Sequence, residues 1–211
     1  MADKIELLVV VLSCSTHSHL WPTILNRNIP NLLILCGGSE ETILDNRIVY
    51  LKCIDTYDGL SEKMMCAFDF ILSQDNFNSI THILKVDDHD TVFTQEQIEM
   101  IPIKYKDILT TQDYIGQSLV PVHLVRRYHH FGKVPLESKW YNKEFMEEIV
   151  PFLGGGDTYI LSRKSLICLY NNKDVYYKYA SYEDIMVGYI LYKNNILPYK
   201  LDYGIKCQLL G

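Results

Sequence analysis

The chain has 211 residues, 48% of them hydrophobic and 22% charged, with a formal net charge of −6 at neutral pH. That length supports one substantial core and makes a single folded domain the simplest reading, and the composition excludes disorder. The acidic balance argues against a nucleic-acid partner or any general polyanion, so a phosphate-bearing ligand must be held by local features such as a bound cation, a helix N-terminus or a few basic side chains.

The first apolar run, "IELLVVVL", is short, contains Glu6 and lacks a basic leading segment with a small-residue cleavage site, so it reads as a strand and not as a signal peptide. A polar turn, "SCSTHSH", leads to a helix-like segment from about Leu20; "NLLILCGG" and "IVYLKC" are two further buried runs. Three such runs joined by short helices predict parallel strands covered on both faces. In "GLSEKMMCAFDFILSQ", Leu60, Met64, Phe68 and Ile71 recur at helical spacing, with Ser61 available as a cap. "ITHILKV" is the fourth strand. From Tyr105 to Gly156 the texture is irregular and aromatic-rich; then "DTYILS" reads as a strand, "RKSLICLYNN" as a helix, and "YEDIMVGYILYKNN" as a longer helix ended by Asn-Asn. The six cysteines form no CxxC pair and mostly sit in apolar runs, which predicts buried, reduced thiols. No apolar run reaches membrane-spanning length.

The fourth strand runs into Asp87, Asp88 and Asp90, where α/β sheets bind ligands. If the strand's alternation continues, Asp88 and Asp90 point the same way and His89 points to the opposite side as a bystander. Oxygen ligands so arranged suit a hard divalent cation, and apolar residues on both flanks favour metal binding over a capped turn. Glu183 and Asp184 open a helix, where acidic residues suit the helix dipole; one of them facing a cleft would instead be a general base. Spacing alone does not choose between these. The triple glycine 154–156 allows either a close backbone approach to a ligand or a positive-φ turn. Arg126, Arg127, His129 and His130 read as an exposed loop, each able to meet a phosphate or a metal. His17 and His19 follow the first strand, but a metal role for them needs partners that the sequence does not display.

Taken in order, these pieces resemble the GT-A glycosyltransferases, most closely the beta-1,3-galactosyltransferase and N-acetylglucosaminyltransferase family. The family pattern opens with a strand and a Ser/Thr-rich turn, matched by "VVVLSCSTHSHLW". It continues with a Tyr-x-x-Leu-x-x-Lys helix, matched by "YDGLSEK", and a Lys-x-Asp-Asp-Asp stretch, matched by "KVDDHDTVF". Then come "DYIG", "SKWY", a glycine-rich segment leading into "YILSR", and "YEDIMVG" for the Glu-Asp-Val-x-x-Gly motif. The resemblance runs from about residue 7 to residue 188, and "DDHD" departs from it by one extra residue.

The resemblance implies a single α/β domain of GT-A fold with a mainly parallel central sheet flanked by helices. Its nucleotide-sugar-binding half would be 1–104 and its acceptor-side half 105–211. It implies that Asp88 and Asp90 hold Mn²⁺ or Mg²⁺ against the diphosphate of a UDP-sugar, with Asp87 beside them. Ser13, Cys14, Ser15 and Thr16 would line the nucleotide pocket, Lys63 would lie near the nucleotide, and Gly154, Gly155 and Gly156 would border the donor sugar and the acceptor. Trp140 would stack on a sugar face or serve the core. Asp184, beside Glu183, would take the proton of an acceptor hydroxyl on an oligosaccharide or glycoprotein glycan; in a retaining enzyme it would only orient substrate. Animal members carry a membrane anchor and lumenal disulfides. Without either, this chain resembles a small cytoplasmic enzyme of a bacterium or of a large algal or amoebal DNA virus, and is similar to the glycosyltransferases of those viruses. Two rivals remain. A metal-dependent nucleotidyltransferase would use the same Asp cluster, although no Gly-x-x-x-x-Gly-Lys loop is present, and a glycan-binding module would not need Asp184 for turnover.

Overall fold

The computed structural model describes residues 4–89, 91–125, 127–128, 134–178 and 182–207. Strand β1 (Leu7–Leu12) leads through a 3₁₀ turn (Ser15–Leu20) into α1 (Trp21–Leu25), followed by β2 (Leu32–Cys36), β3 (Ile43–Asp45), β4 (Ile48–Tyr50) and α2 (Leu60–Ser73). Next come β5 (His82–Asp87), β6 (Thr91–Val92), α3 (Gln95–Lys104), α4 (Lys106–Thr111), β7 (Tyr114–Gly116), β8 (Leu119–Val120) and β9 (Phe152–Leu153). The chain continues with β10 (Tyr159–Ser162), α5 (Arg163–Asn171), α6 (Lys173–Tyr177), α7 (Glu183–Lys193), β11 (Tyr199–Lys200) and β12 (Lys206–Cys207).

Eight strands form one sheet in the order β11-β7-β10-β5-β1-β2-β4-β3. The β5-β1-β2-β4 block is parallel, as the apolar runs predict, whereas β10 lies antiparallel between β5 and β7. β2 and β4 are connected through the antiparallel β3 and not through a helix. β1 shows why its run is apolar throughout. Leu8, Val10 and Leu12 enter one core with α2, α5 and α7, while Leu7, Val9 and Val11 enter a second core with α1, α3 and α4. Alternate side chains of one strand thus bury against helices on opposite faces.

Helix α2 spans its predicted residues, but Ser61 is fully buried inside it and Gly59 is the N-cap. α3 begins at a capping box in which Thr94 and Gln97 satisfy each other's backbone N–H, a signature legible in "TQEQ" that the sequence reading passed over. α5 is capped by Ser162, whose hydroxyl accepts from Ser165 N–H. Cys14, Cys36, Cys53, Cys66 and Cys168 are free thiols, but of these only Cys36 is buried and the other four are half-buried. Among the described residues no helix is long and apolar enough to cross a membrane.

Candidate functional site

A cavity of about 680 Å³ opens at the carboxyl ends of β1 and β5, with the first turn of α7 as its opposite wall. Parallel pairing of Leu12 with Asp87 sets the two strand ends side by side, so the residues that follow each strand meet.

At that meeting point Asp88 collects three partners. The Ser13 hydroxyl donates to its Oδ2 at 2.5 Å, and Trp21 Nε1–H in turn donates to Ser13 Oγ at 2.7 Å. His17 Nδ1 lies 2.9 Å from Oδ2, and His89 Nδ1 lies 2.9 Å from Oδ1. One ligand atom from each of His17, Asp88 and His89 lies within 4.8 Å of the others, a donor set of one carboxylate and two imidazoles that fits a divalent cation. Two sequence expectations are corrected here. Strand β5 ends at Asp87, so strand alternation does not govern Asp88 and His89, and His89 is a member of the cluster instead of a bystander. Asp90 lies outside the described residues.

A second arrangement braces the β1 turn. Asp55 accepts from Ser15 N–H at 2.7 Å and Gly37 N–H at 2.8 Å, and from Lys63 Nζ at 2.7 Å. Burial works against its ionisation, but Lys63 and the two amides outweigh that and hold its carboxyl at about 2. Lys63, almost wholly buried, also donates to the Ser13 carbonyl at 2.6 Å. Asp55 is not among the residues expected from sequence, although "DTYDGLSEK" places it just before the helix that carries Lys63.

The opposite wall is built around Gly155. Lys85, buried mid-strand on β5, donates from Nζ to the Gly155 carbonyl and pairs with Asp87 at 2.7 Å. Burial disfavours its charge, yet Asp87 and Glu183 more than offset this and raise its pKa. The Gly155 N–H donates to Asp184 Oδ2 at 3.0 Å, and Ile185 N–H donates to Asp184 Oδ1 at 2.8 Å. A Cβ on Gly155 would sit 2.9 Å from Glu183 Oε2 and 3.1 Å from Asp184 Cβ. Close approach is therefore the reason for glycine there, since among the described residues the positive-φ glycines are Gly38 and Gly204. Glu183 is 6% exposed and accepts a hydrogen bond from the Tyr159 hydroxyl. Burial, opposed by Lys85 and reinforced by Asp184, pushes its carboxyl up to about 7.

Ser13, Cys14, Thr16, Lys63, Asp87, Asp88, Gly155, Gly156, Glu183 and Asp184 all line this one cavity. Ser15 contributes its backbone N–H to Asp55, and Gly154 N–H donates to the Ser118 carbonyl; neither lines the cavity. Trp140 is half-buried with Lys139 Nζ 5.0 Å over its ring, and it is outside the lining. Arg127 spends its guanidinium on the Phe145 and Glu147 carbonyls. Arg126, His129 and His130 lie outside the described residues.

The galactosyltransferase family model matches residues 39–202. That span contains Asp55, Lys63, Asp88, His89 and the Glu183–Asp184 pair, and it leaves out Ser13 and His17. Comparison with curated proteins returns no match. Solved structures similar to the chain include a 4-diphosphocytidyl-2C-methyl-D-erythritol synthase from Anaerococcus prevotii, 11% identical, covering 99% of this chain and 93% of that one at a TM-score of 0.47. A CMP:2-keto-3-deoxy-manno-octonic acid synthetase complexed with CTP is 7% identical, covering 93% of this chain and 89% of that one at 0.47. A cytidylyltransferase from Leptospira borgpetersenii is 8% identical, covering 94% and 77% at 0.47.

Proposed function

The chain belongs to the galactosyltransferase family and is a glycosyltransferase of GT-A-like fold; from that premise we propose that it moves a sugar from a UDP-sugar to a hydroxyl of a glycan acceptor with the help of a divalent cation. The observation that carries this reading is that the two carboxyl-end strand turns and the Glu183–Asp184 turn of α7 line one cavity.

In this proposal the Ser13–Thr16 turn, braced by Asp55 and Lys63, receives the nucleotide. His17, Asp88 and His89 would hold the cation, with Asp90 as the further expected ligand. When bound, the cation supplies Lewis-acid stabilisation of the leaving diphosphate. Gly155 and Gly156 border the sugar, and the clamp of Lys85 on one side of Gly155 and Asp184 on the other fixes that backbone against the anomeric carbon. The acceptor oxygen attacks the anomeric carbon as the bond to the UDP oxygen breaks, and the acceptor proton passes to Asp184. Glu183 and Asp184 occupy contrasting surroundings, one buried and holding its proton up to about pH 7, the other half-exposed at the cavity. Such a contrast separates the roles of neighbouring carboxyl groups and leaves Asp184 as the base.

The test is calorimetric titration of UDP with and without Mn²⁺, followed by assays of UDP release from a panel of UDP-sugars. Metal-dependent UDP binding and UDP release support the reading. Consumption of a nucleoside triphosphate with pyrophosphate formation refutes it. Product in which the anomeric configuration is retained would remove the base role from Asp184 and leave it orienting substrate.

A further inference from the structure

We infer that His17, Asp88 and His89 form a mixed nitrogen–oxygen metal site that takes a transition ion such as Co²⁺ or Zn²⁺ in strong preference to Mg²⁺. The site deepens the glycosyltransferase reading and rests on it for what the ion serves, but not for whether the ion binds.

Both imidazoles direct Nδ1 at the same carboxylate: His17 stands 3.1 and 2.9 Å from the two Asp88 oxygens and His89 stands 2.9 Å from Oδ1. Their ring centroids are 5.2 Å apart. The Asp88 side chain is 3% exposed, while those of His17 and His89 are 36% and 46% exposed. The carboxylate therefore forms the floor of the site and the imidazoles its rim, open to water and ligand from the cavity.

Two independent observations mark this as a built site. The first is an outer layer. Trp21 donates to Ser13 and Ser13 donates to Asp88, an orienting chain of the kind that fixes ligating carboxylates. The second is the charge balance. The two buried lysines of the cavity are engaged elsewhere, Lys63 with Asp55 and Lys85 with Asp87. Among the described residues, the nearly buried Asp88 faces two imidazoles and a hydroxyl, and a buried carboxylate wants a cation.

The donor chemistry decides which cation. Imidazole nitrogen suits the later first-row ions, whereas Mg²⁺ favours oxygen ligands and keeps its waters. His17 lies outside the family-matched span 39–202, so this nitrogen ligand comes from a part of the chain that the family match does not cover.

The experiment titrates Co²⁺ alone, without nucleotide, into the full chain and follows its visible absorption, with Mg²⁺ titrated calorimetrically in parallel. One Co²⁺ is expected per chain, bound far more tightly than Mg²⁺. Since losing an outer-layer partner alone costs about 10–100-fold in metal affinity, His17→Ala should weaken Co²⁺ by at least about tenfold and change its spectrum, while barely affecting Mg²⁺. His89→Asp replaces a nitrogen by an oxygen ligand and should narrow the Co²⁺ preference over Mg²⁺; it carries the test should His17→Ala fail to fold by circular dichroism. The proposal is overturned if either folded variant leaves both affinities unchanged, if Mg²⁺ binds as tightly as Co²⁺, or if a sulfur-to-cobalt band reports Cys14 as the ligand. If Co²⁺ behaves as expected while UDP fails to bind, the metal site stands and the glycosyltransferase reading falls.

Discussion

Replacing Glu183 by Gln probes the buried wall of the cavity through its pH dependence. Burial raises the Glu183 carboxyl from an ordinary 4.5 to about 7, against the pull of Lys85. The folded protein therefore keeps this proton over a range in which the unfolded chain has lost it. Between pH 4.5 and about 7 the folded state binds more protons, so stability falls as pH rises through that window and is flat above it. The interval from 4.5 to about 7, at about 1.36 kcal/mol per pH unit, corresponds to about 3 kcal/mol. Gln has nearly the same shape and still accepts from the Tyr159 hydroxyl, but it does not titrate. Urea unfolding of both proteins at a series of pH values isolates this effect, because every other ionisable group is common to both. The variant should gain about 3 kcal/mol on the wild type between pH 4.5 and 8. A difference that does not change with pH, or one that moves in the wild type's favour as pH rises, would refute the reasoning.

Gly188→Ala should destabilise the fold by at least about 2 kcal/mol in the same assay, because the added Cβ would lie 2.2 Å from Phe152 Cβ, and overpacking of that kind outweighs the helix-propensity gain. Asp55→Ala removes the carboxylate partner of buried Lys63 and should cost about 3 kcal/mol or more at neutral pH by chemical denaturation. In the wild type the contribution of that pair is present above the unfolded carboxyl's 3.8 and is lost as pH falls toward about 2, which acid titration of the two proteins would reveal. Asp184→Asn should bind UDP like the wild type and lose roughly 10²–10⁴-fold in transfer rate; unchanged turnover would exclude it as the base.

Much of the scaffold was written locally in the chain. Apolar runs at 7–12 and 32–36 are strands because both faces of β1 and β2 meet helices, so no polar alternation is tolerated; β5 is buried in the same way, but it carries His82 and Lys85 into the interior. The helix at 60–73 follows from its apolar spacing, and those at 163–171 and 183–193 end at the Asn-Asn pairs that close their stretches. The acidic cluster at the end of β5 was legible as a candidate site for the same reason: charge appears abruptly where a buried strand stops.

What the sequence could not carry is which distant residues become neighbours. His17 and Asp88 are 71 positions apart and touch only because β1 and β5 are adjacent and parallel, which brings the turns after both strands to the same edge. Asp55 acquires its role from three amide and ammonium donors contributed by separate segments, and Lys85 meets the Gly155 carbonyl across 70 positions. The antiparallel placement of β10 likewise follows from long-range pairing and leaves no mark in its own four residues. Local pattern reports which face of an element is buried; the partners that turn His17, Asp88 and Glu183 into a site are set by how the whole sheet closes its two cores, and that is a property of the tertiary fold.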